Sequence, residues 1–170
     1  MYYYRISKYN PKFRDNHGNY ILNDWTSFSD IGKEYLGKTL TLEEYKRVED
    51  LYIDFVLLSM QKTDTDYLVI QELEKNGSKK DILELSSKSK CLYQKLDNNL
   101  LIGVDNISML LQLQLRDLIW AKLTSESLTV HFGYDYYMYV ISTKKLVFFD
   151  DLNLKNDIYV EEGIKSPYEQ

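Results

Sequence analysis

Few side chains in this sequence could carry chemistry. Among 170 residues there are two histidines, His17 and His131, and a single cysteine, Cys91. His131 lies just before Asp135, in the aromatic stretch Leu128 to Ser142, and Asp150-Asp151 follow an apolar run. Loop acids after such runs often serve metal-dependent enzymes. A metal-dependent hydrolase or nuclease would therefore draw on His131, Asp135, Asp150 and Asp151, converging around a pocket. A metal centre needs several ligands at defined spacing, and one histidine with scattered acids does not supply it. Turn and cap chemistry accounts for the same acids without catalysis. His131 reads as a strand histidine, and His17 as a turn residue beside Gly18. Cys91 has no activating partner near it in sequence and reads as a small apolar side chain. No nucleophile elbow, phosphate-binding glycine loop or zinc-protease pattern is present. No catalytic residue, metal or cofactor is expected.

Binding is the better-supported chemistry. The net charge is −5 and the sequence pI about 5.1, and no lysine-arginine run exceeds a pair. A duplex nucleic-acid binder carries a basic stripe, so nucleic acid and anionic membrane surfaces are disfavoured as partners. An acidic surface attracts a basic protein at long range. Tyrosine supplies 16 residues of the chain. Codon bias explains such an excess; exposed binding rings explain it as well, because tyrosine is apolar across its face and wet at its tip. Asp24-Trp25 ahead of a helical segment reads as a buried staple or as an exposed anchor. The candidate partner-binding residues are Asp24, Trp25, Tyr134, Asp135, Asp150 and Asp151.

The elements that must hold these residues follow from periodicity. Leu128 to Phe132 alternates, and Tyr136 to Ile141 is apolar on both sides, so the two predict a hairpin at the centre of a sheet. Tyr2 to Lys8 alternates as an N-terminal strand, Tyr67 to Glu72 as another, and Ile158 to Glu161 as a short last one. Tyr20 to Trp25 is expected to return as a strand, and Phe28 to Tyr35 to form a short helix ended by Gly37. Leu42 to Gln61 has helical spacing with a capping box from Thr41 and Glu44; Lys46, Glu49, Asp50 and Asp54 fall on its wet side. A helix is expected from about Lys79 with Ser78 as cap, and a second long helix over Ile107 to Leu123 capped by Asp105 or Asn106. Leu146 to Phe149 reads as a strand or a buried run, and Asp150 to Asp157 as a polar connection. The expected fold is one α+β domain over residues 1–170: a mainly antiparallel sheet with a central C-terminal hairpin, covered by two long helices and shorter helical segments.

The N-terminus lacks a signal-peptide core, no window has the length of a membrane span, and a lone cysteine suits a reducing compartment. A cytoplasmic location is the expectation. At MYYYRISKYNP, DWTSFSDIGK and HFGYDYYMYV the chain resembles a group of uncharacterised small bacterial proteins. In its general character, a small acidic α+β domain, it is also similar to the immunity proteins that neutralise bacterial toxins. That second likeness implies a cytoplasmic binding protein that docks an acidic, tyrosine-bearing face on a basic partner. It carries no site residues. A homodimer through a free strand edge or helix is the remaining expectation.

Overall fold

Alternating sequence becomes sheet here, and helical spacing becomes its cover. The computed structural model describes residues 1–147 and 158–167. The strands are β1 Tyr2–Ser7, β2 Glu34–Tyr35, β3 Lys38–Thr39, β4 Tyr67–Lys75, β5 Leu101–Gly103, β6 Ile119–Thr124, β7 Leu128–Phe132, β8 Met138–Ser142 and β9 Tyr159–Glu162. The helices are α1 Leu42–Lys62, α2 Lys79–Glu84, α3 Ser87–Lys95 and α4 Val104–Leu115. Among the described residues, seven strands form an antiparallel sheet in the order β5-β4-β6-β7-β8-β1-β9, while β2 and β3 pair separately.

The expected hairpin is β7-β8, and it lies at the middle of the sheet, with Val130 opposite Val140 and His131 opposite Tyr139. β8 is buried along its whole length, as a strand apolar on both faces requires. One face carries Ile70, Leu123, Val130, Val140 and Tyr4 into a core shared with Tyr52, Phe55 and Val56 of α1 and Leu110 and Leu111 of α4. The other face carries a polar row across neighbouring strands: Lys122, His131, Tyr139, Arg5 and Glu161. Arg5 meets the Glu161 carboxylate through both Nε (2.9 Å) and Nη2 (2.8 Å), the fork geometry that suits a guanidinium.

Several expectations need correction. The helix read over Ile107 to Leu123 ends at Leu115, and Ile119 to Thr124 is a strand. Asp117 has φ +60, its amide donates to the Gln114 carbonyl and the Leu118 amide to the Leu113 carbonyl. That pair of bonds is a Schellman closure with Asp in the left-handed position. Beyond it Ile119, Ala121 and Leu123 turn inward while Trp120, Lys122 and Thr124 turn out, a period of two hidden inside an apolar run. Gly103, not Asp105 or Asn106, occupies the cap of α4. Tyr20 makes an isolated bridge to Arg14 and no strand forms to Trp25. Phe28–Asp30 is a single 3-10 turn, and Gly37 closes the β2-β3 hairpin with Leu36, both at positive φ. Tyr136 stands in the β7-β8 connection rather than in the strand. Val147 is exposed although Leu146 is buried. The connection expected over residues 150–157 lies outside the described residues, as do Phe148 and Phe149.

α1 is capped by Thr41, whose hydroxyl accepts from the Glu44 amide at 3.1 Å, but the Glu44 carboxylate accepts from Arg47 instead of closing the box. Glu49, expected on the wet side, is fully buried and takes both arms of Arg116 at 2.8 and 2.6 Å. The pair ties the middle of α1 to the end of α4. Removing one member of such a pair strands the other charge, whereas replacing both with apolar residues is often tolerated. Because Arg116 keeps 25 % of its side-chain surface, Glu49→Ala is expected to cost about 3 kcal/mol, the low end for buried pairs. Glu49→Met with Arg116→Met should recover most of the loss in urea denaturation.

Candidate functional site

The end of α4, the start of β6 and the β7-β8 connection meet around a cleft of about 540 Å³. Its walls carry the carboxylates Glu74, Asp117 and Asp135 and the rings Trp120, Phe132, Tyr134 and Tyr136, with Gln114, Asn76, Thr26 and Ser27 completing the polar lining. Among the described residues, no lysine, arginine or histidine lines it. The size falls among ordinary small-ligand sites.

Local sequence explains each placement. Asp117 faces the cleft because the Schellman closure puts it outside the helix. Trp120 is on an outward position of β6, and its indole Nε1 donates to the Phe132 carbonyl at 3.0 Å, which fixes the ring. Glu74 pairs with Trp120 across β4 and β6, after a bulge in which Glu72 takes φ +53. Asp135 and Tyr136 sit in left-handed backbone, φ +55 and +64. Two buried tyrosines hold them there: Tyr9 donates its hydroxyl to the Asp135 carbonyl at 2.7 Å, and Tyr52 to the Tyr136 carbonyl at 2.8 Å. Tyr45 closes the third side by donating to the Leu115 carbonyl at 2.6 Å. Burial raises the pKa of Tyr9, Tyr45 and Tyr52 above the ordinary tyrosine value, so these hydroxyls keep their protons.

Gln114 is 4 % exposed; its Nε2 donates to the Ala121 carbonyl at 3.2 Å, and its Oε1 has no hydrogen-bond partner. The buried Tyr136 hydroxyl likewise makes no hydrogen bond of good geometry, although it interacts with the Tyr45 hydroxyl. The Asp117 carboxyl is held above the usual carboxylate range, by burial first and by the charge of Asp30 second. Asp30 shows the opposite balance. Burial works against its charge, but Lys33 at 2.8 Å and the amides of Thr26 and Ser27 outweigh it and bring the pKa down to about 2.

Of the six residues singled out from sequence, Tyr134 and Asp135 line this cleft, and Tyr134 is 81 % exposed. Asp24 and Trp25 serve the interior. The Trp25 ring is buried against Tyr45 and Tyr136 at centroid distances of 5.4 and 5.0 Å, so it is no exposed anchor. Asp24 pairs with the Lys8 ammonium at 2.7 Å, and that ammonium lies 4.1 Å from the Trp25 ring centre and 4.2 Å from that of Tyr9. Burial pushes Lys8 down to about 8 against the pull of Asp24. Asp150 and Asp151 lie outside the described residues. The sequence reading missed Glu74, Gln114, Asp117 and Trp120. Asp117 was legible only as the breaker of an apolar run, and Gln114 as a polar residue on the apolar side of a helix.

His131, the histidine of the hydrolase reading, faces away from the helical core. Its Nδ1 is 2.9 Å from the Ser166 hydroxyl, and its ring meets Trp120 edge-on. Among the described residues no three His, Cys, Asp or Glu side chains come together as a metal site. Among them, too, no helix is long and apolar enough to cross a membrane. Compared with protein-family models, curated proteins and solved structures, the chain matches none.

Tyr52→Phe leaves the Tyr136 carbonyl unpaired in the core, and should cost about 1–3 kcal/mol and speed amide exchange in the Gly133–Tyr137 connection. Burial, with Lys122 adding to it and Glu72 opposing, lowers the His131 pKa. The unfolded chain therefore binds this proton more readily, and stability falls as pH drops below about 6.5, by at most about 1.4 kcal/mol per pH unit for one proton. Denaturation at pH 7 and pH 5 should show that loss in the natural protein and a smaller one in His131→Gln.

Proposed function

We propose that this protein is a binding module of the immunity or inhibitor type, which docks an acidic, tyrosine-bearing face on a basic partner protein. The observation that supports the reading is the lining of the cleft: carboxylates and aromatic rings with no cation among them, in a chain of net charge −5. Elsewhere many acids are spent on internal partners: Glu49 on Arg116, Glu161 on Arg5 and Arg14, Asp24 on Lys8, Asp64 on Lys144. Those at the cleft have no such cation in its walls among the described residues, and their field would reach outward. A basic partner would be steered by that field and anchored by Tyr134, the most exposed tyrosine-rim residue of the cleft.

The likeness to toxin-immunity proteins agrees with this role and adds no residue to it. The hydrolase reading gains nothing specific, since His131 is engaged with Ser166 on the face away from the core.

The test is affinity capture from cells of the source organism, with cross-linking and mass spectrometry. A basic protein should be retained by the natural chain, released by salt as the Debye length shrinks below about 8 Å, and lost with Tyr134→Ala plus Asp135→Lys. A captured set unchanged by that double variant would sink the proposal.

A further inference from the structure

We propose that α2 and α3 form a basic surface that docks on an anionic membrane, with Lys79, Lys80, Lys88 and Lys95 on the lipid headgroups and Leu83 seated in the interface. This surface is separate from the cleft, and the proposal does not rest on the protein-binding reading above.

The chain writes no run of cations longer than a pair, and folding assembles a larger group from separate stretches. Lys75 to Lys95 holds six lysines against two acids, Asp81 and Glu84, in a chain of net charge −5. One anchor draws the segment together. A Cβ at Gly77 would stand 3.4 Å from the Tyr93 hydroxyl of α3 and 3.5 Å from Cγ1 of Ile82 in α2, so both helices pack on the chain just beyond β4. Lys75, the last residue of β4, has its ammonium 5.3 Å from the centre of that Tyr93 ring. On α3 Tyr93 is buried and Leu92 half-buried, while Lys88, Cys91 and Lys95 stand exposed at helical spacing on the outward side. On α2 Ile82 is half-buried, while Lys79, Lys80 and Leu83 are exposed.

These lysines are not spent internally. Among the described residues none of the six enters an ion pair, whereas Arg5, Lys8, Arg14 and Arg116 all do. Asp81, the acid beside the first pair, accepts instead from the Ser78 amide and hydroxyl. Leu83 decides the partner. It is 71 % exposed and follows Lys79 and Lys80 by one helical turn. A nucleic-acid backbone would answer the lysines and leave Leu83 in water. A bilayer surface answers both. Clusters of about four to eight cations are drawn to anionic headgroups, and an apolar side chain leaves water at the acyl boundary. Lysine stems lie along that apolar surface with the ammonium among the headgroups. The negative charge of the rest of the chain works against contact elsewhere, so the membrane is met through this segment.

The experiment is co-sedimentation of the full chain with sucrose-loaded vesicles of mixed phosphatidylcholine and phosphatidylglycerol, and with vesicles of phosphatidylcholine alone. The chain should sediment with the mixed vesicles, stay in solution with the neutral ones, and be released as salt shortens the Debye length below about 8 Å. Lys79→Glu with Lys80→Glu should weaken binding about a hundredfold or more, and Lys88→Glu with Lys95→Glu should do likewise. All four positions are exposed, so the fold is retained, which an amide spectrum checks. Leu83→Ser should weaken binding about tenfold. On the mixed vesicles amide exchange should slow across residues 78–95 and stay unchanged in the β7-β8 connection. No binding to the mixed vesicles, equal binding to the neutral ones, or an unchanged affinity in Leu83→Ser or in either lysine pair overturns the assignment. Tighter binding of a single-stranded oligonucleotide than of the mixed vesicles overturns it as well.

Discussion

The structure depends on tyrosine hydroxyls that leave the core to satisfy backbone. A connection that runs against a packed interior exposes carbonyls and amides that neither helix nor sheet will pair. Here Tyr4 accepts the Leu146 amide, Tyr45 takes the last carbonyl of α4, Tyr9 takes Asp135 and Tyr52 takes Tyr136. Each ring fills core volume and each hydroxyl closes a backbone group, which a phenylalanine could not do. Two of the four bonds end on residues in left-handed backbone, Asp135 and Tyr136.

The cleft is a consequence of the same constraint. Three of those hydroxyls end on its frame: the close of α4 and two residues of the β7-β8 connection. An ordinary tight hairpin would have brought β7 and β8 together without a recess. The longer connection, pinned from beneath, keeps Tyr134 and Asp135 outward while Tyr136 joins the cluster of Trp25, Tyr45 and Tyr52. Packing and binding surface are thus two sides of one loop.

Charge is distributed by the same logic. On the face of the sheet away from α1 and α4, Arg5 and Arg14 share Glu161, and Arg14 also reaches the Tyr137 hydroxyl. Buried or half-buried ions need such partners, since desolvation otherwise exceeds their attraction. The chain's net charge is −5, and Glu74, Asp117 and Asp135 gather at the cleft beside aromatic rings, with no cation in its walls among the described residues.

Periodicity along the chain was enough to find the central hairpin, the N-terminal and last strands, α1 with its Thr41 cap, and the start of α2. Each is written into local spacing or a local cap, and needs no distant residue to be read. The division of residues 107–123 into α4 and β6 was not readable, because Leu110 to Leu123 satisfies both periods and only the left-handed Asp117 chooses between them. Glu49 and Trp25 were equally opaque: a glutamate is buried when an arginine 67 positions away reaches it, and a tryptophan is an anchor or a core residue according to what packs on it. Tertiary structure alone decided that Gln114, Asp117 and Trp120 share a cleft with Tyr134, since the contacts that bring them together are between chain segments and leave no period in any one of them.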